Sequence, residues 1–545
     1  MTDMEIRLYH RGRQFASLEH TASRSRLPIP VPGHDGLLEI RLELPILDIQ
    51  CYWTPDLRTP SSKIHWTIET KSAGQRNFPW ISFFNTSGVN RFSLGLTDLT
   101  DDCRIVAKMN QERCVYEITV TAALHRESRD FELVLDERSV PWTEALADWR
   151  NGLELPKADY PAGAWKPVFC TWYAVHAAVT QDWVEKNAQI AAELGFGTLI
   201  IDDGWCFDVM KRVAPDTIGS WYEWIGDWNL SKRKFPDFAA HCQRVKAMGM
   251  QYMFWVAPFL IGEKSEFRKQ FPDCHRKDYH EGCYVIDSSK ADAMNAQLEK
   301  MKHVMRDYGL DGLKVDFLDY IKPDVDVPEG RETTKFIHEL AAALREMKPD
   351  ALIEFRQAYA TPGMAPYATQ FRAGDVPFDF VDNFQRLAQI RISMGDGIPV
   401  HADPMYWHPG ESAVNISRHL IASLVGVPML SMDLLKISET ERKIIRRWLG
   451  FYEKHLPTFR DGRWQAVFHQ SNVAYVTVSH DGESIVFLLD PARLDQALAQ
   501  AEKRAVVLNL SLEELRCAGA QSADCEGNPG QPGIIPPGGS GCVDR

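Results

Sequence analysis

The chain has 545 residues, 45% of them hydrophobic and 25% charged, which is too long for one ordinary domain and has the balance of a soluble globular protein. A formal net charge of −13, with no dense basic stretch to offset it, argues against nucleic acid or an anionic membrane as the main partner. No run of about 18 apolar residues suggests a membrane span, the first residues (MTDMEIRLYHRGRQ) lack a signal-peptide core, and the 11 cysteines are scattered without a CxxC pair. A cytoplasmic protein with reduced thiols is expected.

Residues 1–140 read as an N-terminal antiparallel β-sandwich. The segments LLEIRLELPILDI, CVYEITVTAAL and FELVLDE alternate in the strand manner, and Pro28, Pro30, Pro32 and Gly33 separate them from their neighbours. Residues 141–165 form a helical linker around the amphipathic stretch VPWTEALADWRNGLE. From 166 to 455 short apolar strands alternate with amphipathic helices. Eight strand candidates can be counted: PVFCTWYA, TLIIDDGW, MQYMFWVAP, GLKVDFLD, ALIEFRQA, TQFRAGD, GIPVHAD and VPMLSMDL. Eight such units predict an α/β fold, a (β/α)8 barrel. YVIDSS is a ninth apolar run, placed as an extra strand in a long third loop. Residues 456–520 return to β as a small antiparallel sheet, and the Pro/Gly-rich residues 521–545 read as a disordered tail.

In such barrels the chemistry lies at the C-terminal ends of the strands. Strand 2 ends in Asp202 and Asp203, strand 4 in Lys314 and Asp316, strand 6 in Arg372 and Asp375, and strand 7 in His401 and Asp403. Lys314 and Asp316 are two residues apart on one strand, so both project to the same side and the lysine keeps the acid ionised. A single carboxylate at a strand end commonly caps a helix or pairs with a neighbour. Acids on three strands, with Trp205, Trp228 and Trp255 close in sequence, point instead to a sugar site. Indole faces suit the C–H faces of sugars, and carboxylates accept from their hydroxyls.

Two other chemistries compete. Asp202, Asp203, His401 and Asp403 could hold a divalent metal, but no His-x-His and no second histidine accompany the other acids. Lys314 could form a Schiff base, but Asp316 would raise its pKa when the chemistry needs it lowered. Glycoside hydrolysis remains, with one carboxylate as nucleophile and another as proton donor, and with no metal or other cofactor. Asp316 suits the first role. Asp375 suits the second, although Arg372 would lower its pKa if the two paired.

At this point the motifs resemble those of the α-galactosidases of glycoside hydrolase family 36, the melibiase group. TWYA (171–174), IDDGW (201–205), GDWNLSKRKFP (226–236), FWVAPFLIGEKS (254–265), YVIDSS (284–289), LKVDF (313–317) and RAGD (372–375) occur in the family's order. The resemblance covers roughly residues 140–460 and implies a retaining exo-α-glycosidase acting on terminal α-linked galactose. It implies Asp316 as nucleophile and Asp375 as acid/base. It implies Asp202, Asp203, Trp228 and Lys314 as sugar contacts, to which Trp205, Trp255, Arg356 and Arg372 are added as substrate-binding candidates. A homo-oligomer is also expected on the same ground.

Departures are visible. Ala257 stands where the family's W-x-E-P glutamate belongs, Val315 in the middle of K-W-D, Arg372 at a tryptophan, and FRQAYATPGM (355–364) at a Cys- and Gly-rich segment. They bear on the sugar and on what is attached to it. Arg356 and Arg372 would suit an anionic sugar in place of galactose. An N-acetylated sugar is a further candidate, as is carbohydrate binding without catalysis.

Overall fold

Alternation decides the first quarter of the chain. In Gly36–Pro45 the side chains of Leu38, Ile40, Leu42 and Leu44 are buried while Glu39, Arg41 and Glu43 point outward. The computed structural model describes residues 4–210 and 221–544, and every predicted site residue lies among them. A six-stranded antiparallel sheet runs in the order Arg13–His20, Met4–His10, Gly36–Pro45, Val115–Leu124, Cys103–Asn110, Thr67–Ser72. It faces a five-stranded sheet ordered Arg24–Ile29, Phe131–Asp136, Asn90–Leu96, Trp80–Phe84, Cys51–Trp53. Ile40, Ile105, Val120, Phe83, Leu94 and Leu133 fill the space between them, the arrangement of a sandwich.

The helix Trp142–Asn151 joins this sandwich to the next layer through aromatic contacts. Trp142 stacks on Phe84 at 5.1 Å and Trp149 on Phe78 at 5.3 Å, so the sandwich and the barrel share one apolar core.

All eight predicted barrel strands are present and parallel: β1 (Val168–Cys170), β2 (Thr198–Ile201), β3 (Gln251–Val256), β4 (Gly312–Val315), β5 (Leu352–Arg356), β6 (Gln370–Arg372), β7 (Val400–His401) and β8 (Met429–Leu430). β1 pairs with both β2 and β8, and the ladder runs from β8 round to β7. Inside the barrel Val168, Cys170, Ile200, Met253, Leu352 and Met429 form an apolar floor. Strand period places the residues two further along in the same direction. On β3, β4 and β5, and just past the end of β2, these are Trp255, Lys314, Glu354 and Asp202, so the polar layer stacks directly on the apolar one. An antiparallel three-stranded sheet made of Leu260–Gly262, Cys283–Ile286 and His275–His280 is inserted after β3, where the ninth apolar run was expected.

The C-terminal sheet differs from the expectation in two ways. It has six strands and is mixed: Glu483–Leu488 and Arg504–Asn509 pair in parallel, connected through the helix Leu494–Gln500. The Pro/Gly-rich tail is also not disordered over residues 521–544. Ser540–Asp544 pairs with Arg504–Asn509, and Ile534–Ile535 with Leu515–Arg516. Ile535 and Val543 pack on Tyr475, Leu488 and Val507, so a few apolar residues anchor a segment whose average composition reads as unstructured. Among the described residues no helix is long and apolar enough to cross a membrane.

Candidate active site

Asp316 sits one residue past β4, at the C-terminal end of the barrel. Its backbone N–H donates to the Val256 carbonyl at 2.7 Å. Its carboxylate accepts from Trp255 Nε1 at 3.1 Å and from the Phe317 N–H at 3.0 Å. Phe317 adopts φ +57°, a left-handed conformation that is costly for a bulky residue and is held by the surrounding structure. The sandwich contributes to that hold. Gln75 Nε2 donates to the Ile321 carbonyl and Arg76 Nη1 to the Asp319 carbonyl, both at 2.9 Å. Burial opposes the charge of Asp316, but Arg356, Lys314 and Arg372 together outweigh it and hold the carboxyl below its ordinary range.

Asp375 lies across two guanidinium groups from Asp316. Arg356 Nη2 donates to Asp375 at 2.9 Å and its Nη1 lies 3.5 Å from Asp316. Arg372 Nη1 donates to Asp375 at 2.9 Å and its Nη2 lies 3.8 Å from Asp316. The two acids differ in access: 44% of the Asp375 side chain is exposed against 6% for Asp316. Asp375 therefore stands at the open side and Asp316 at the closed one. Burial again works against ionisation, yet Arg356 and Arg372 hold the Asp375 carboxyl far below the usual carboxylate range. Arg372 and Asp375 do pair, and a second arginine, Arg356, joins them.

Arg372 is also the partner of Asp403, to which Nη1 donates, and its Nε approaches Glu354 at 3.7 Å. Asp403 accepts from Tyr173 Oη at 2.9 Å and from the Val376 N–H at 2.7 Å, and burial pushes its carboxyl up to about 7 despite Arg372. With four carboxylates around it, the charge of Arg372 is already compensated by the protein. Arg356 is likewise engaged by Asp316 and Asp375. The two arginines thus face acids of the chain itself, which already balance the charge that an anionic sugar would supply.

The adjacent acids on β2 are reconciled by Lys314. Its Nζ lies 2.5 Å from Asp202 Oδ2, and the same carboxylate accepts from Cys170 Sγ at 3.3 Å and from the Asp203 N–H at 3.0 Å. Asp202 and Lys314 thus form one buried ion pair at the closed end of the barrel mouth. Gly204, at φ +103°, has no room for a side chain, since a Cβ there would meet Ala177 Cα at 2.4 Å. Sequence reasoning passed over Lys234, although it lies in the GDWNLSKRKFP motif. Its buried ammonium donates to the carbonyls of Ala177 at 2.7 Å and Gly204 at 2.6 Å, tying the loops after β1 and β2 together. Glu354 and Tyr173 were also missed as members of the site. The signal for both was their position at barrel strand ends.

The tryptophans divide. Trp255 is in the site, as a hydrogen-bond donor to Asp316. Trp205 is not: it stacks on Phe254 at 4.3 Å on the helix side of β3, donates to the Trp255 carbonyl at 2.8 Å, and has no exposed surface. Trp228 is equally buried, behind Trp255, with its indole N–H on Gln297 at 3.0 Å. Both expected sugar contacts are therefore corrected to packing residues. Half-buried aromatics among the described residues near the strand ends include Trp172 and Trp221, edge to face at 5.3 Å. The residues considered for a metal are not gathered: His401 Nε2 bonds the Ala164 carbonyl, while Asp202 and Asp403 face cations of the chain.

A parallel barrel with acids from several strand ends, flanked by a β-sandwich and a C-terminal sheet, defines the class. The melibiase family model matches residues 157–352. Among curated proteins the chain is 22% identical over 338 residues to "Alpha-galactosidase AgaA" of Geobacillus stearothermophilus, covering 57% of this chain and 44% of the relative. It is 23% identical over 357 residues to an "Alpha-galactosidase" of Escherichia coli, covering 61% and 48%. The chain thus spans less than half the length of these relatives. Among solved structures, the galactosidase domain of an α-galactosidase-sucrose kinase superposes with TM-score 0.64 at 15% identity, over 99% of this chain and 88% of that one. A Thermus thermophilus α-galactosidase in complex with p-nitrophenyl α-D-galactopyranoside superposes with TM-score 0.57 at 16% identity, over 84% and 98%. The chain has the fold of the glycoside hydrolase family 36 α-galactosidase group, and the resemblance read from its motifs holds.

Proposed function

We propose that the chain is a retaining exo-α-galactosidase that works by double displacement, with Asp316 as nucleophile and Asp375 as acid/base. The observation that carries this reading is the pair of carboxylates just past the ends of β4 and β6, one closed off and one open, joined by the same two guanidiniums. The relatives' names, and the galactoside in the Thermus thermophilus complex, support galactose as the sugar.

In the first step the Asp316 carboxylate attacks the anomeric carbon while Asp375 gives a proton to the departing oxygen. In the second, Asp375 takes a proton from water, and the water oxygen displaces Asp316 to restore the α configuration. A carboxylate paired with two arginines is well suited to the second step and poorly suited to the first, because protonating it weakens both contacts. Asp202, Asp203 and Lys314 are proposed as contacts to the sugar hydroxyls at the closed end. Proton NMR during hydrolysis of 4-nitrophenyl α-galactoside tests the reading. The α anomer should accumulate first; first release of the β anomer, or no hydrolysis of any α-galactoside, would refute it.

A further inference from the structure

We infer that the site is built for α-galactosides of phenolic aglycones, whose ring lies against Phe378 and Tyr406, a step that rests on the retaining α-galactosidase reading. Two independent features meet here. The first is the proton donor. Asp375 accepts from Arg356 and from Arg372, each at 2.9 Å, and a proton added to it competes with both. A sugar or alkyl alkoxide needs that proton to leave, whereas a phenol ionises near pH 10 and leaves as phenoxide with little help.

The second feature is an exposed aromatic pair on the same loops. Phe378 follows Asp375 by three residues, a length of chain that reaches about 11 Å at most. Its side chain is 62% exposed, in a protein that buries most of its large aromatics. Tyr406, on the loop after β7, meets it edge to face, with ring centroids 5.2 Å apart. The loop that presents Phe378 is held on both sides of Pro377. The Val376 N–H donates to Asp403 at 2.7 Å, and the Tyr406 N–H donates to the Pro377 carbonyl at 3.2 Å. An exposed aromatic pair held by these hydrogen bonds thus lies on the loop that follows Asp375, within chain reach of its carboxylate, where the inference places the aglycone.

The chemistry balances without a proton from Asp375. An Asp316 oxygen bonds to the anomeric carbon as the bond from that carbon to the phenolic oxygen breaks. The electron pair leaves with the phenoxide, which takes a proton from solvent. Water then gives a proton to Asp375 as its oxygen bonds to the anomeric carbon and the Asp316 ester breaks. The products are galactose and the phenol, and Asp375 returns its proton to solvent.

The test measures kcat/KM at neutral pH for phenyl, trifluoroethyl and 4-nitrophenyl α-galactosides and for melibiose, with the full chain and its Phe378→Ala, Phe378→Tyr and Tyr406→Ala variants. Phenyl galactoside should exceed melibiose by about 100-fold or more, the scale of general-acid assistance. The ratio of phenyl to trifluoroethyl galactoside should fall more than about threefold in Phe378→Ala or Tyr406→Ala, the scale of one aromatic contact, and be kept in Phe378→Tyr. A smaller preference over melibiose, or a ratio unmoved in both alanine variants, would overturn the inference while leaving the galactosidase reading intact. No turnover of the 4-nitrophenyl substrate would defeat that reading instead.

Discussion

Replacing Arg356 by glutamine should make Asp375 a better proton donor. In the native chain Arg356 donates to one Asp375 oxygen and Arg372 to the other, each at 2.9 Å. A hydrogen bond to a charged group contributes about 1.5–3 kcal/mol, and about 1.4 kcal/mol corresponds to one pKa unit. Because 44% of the Asp375 side chain is exposed, water screens the contact, and an upward shift of about one unit is the reasonable expectation. The sign follows from the depressed carboxyl: at neutral pH the protonated fraction is small and grows about tenfold for each unit of upward shift. The assay is kcat/KM for melibiose from about pH 4 to pH 8, with phenyl galactoside as the control that needs little proton donation. Native activity on melibiose should climb as the pH falls. The variant's curve should lie about one unit higher, so that melibiose gains on phenyl galactoside about tenfold at neutral pH. Asp316 also loses a neighbour at 3.5 Å, but Lys314 and Arg372 still favour its ionised form. A melibiose curve that does not move, or that falls in step with phenyl galactoside, would refute the reasoning.

Asp316→Ala should abolish turnover of every substrate, with added azide giving at most a β-galactosyl azide. Asp375→Ala should keep activity on 4-nitrophenyl galactoside while losing it on melibiose, and azide should speed it and give the α-azide; exchanged phenotypes would reverse the two roles. Asp202→Asn leaves the buried Lys314 ammonium without its partner and should cost about 3–5 kcal/mol in urea unfolding, so a loss below about 1 kcal/mol would show that the pair is not what holds the lysine. EDTA should leave hydrolysis unchanged, and activity restored by a divalent ion would revive the metal reading.

The barrel was legible because parallel strands buried on both faces read as short apolar runs, and because a run such as TLIIDD ends abruptly in charge. Even β7 and β8, each two residues long, were found through the acids and turns around them. Strand period put Lys314 and Asp316 on one side, and strand-end position singled out Asp375; all three lie at the C-terminal end of the barrel, next to the two arginines. Trp205 and Trp228 were misread because adjacency in sequence does not fix the side of the wall: Asp202 faces into the barrel, whereas Trp205, three residues on, packs on the outward-facing Phe254. The pairing of Arg356 with Asp375 crosses from β5 to β6 and leaves no local pattern. The tail misled because composition averages over Ile535 and Val543, which are enough to seat it on the C-terminal sheet.

The central claim is that Asp316 carries the galactosyl group. Trapping with 5-fluoro-α-galactosyl fluoride, which slows release of the glycosyl-enzyme, followed by proteolysis and mass spectrometry, tests it most directly. The account predicts one 5-fluorogalactosyl adduct, on the peptide that carries Asp316, and no adduct in Asp316→Ala. An adduct on the peptide that carries Asp375 or Asp403, or slowed turnover with no adduct at all, would contradict it.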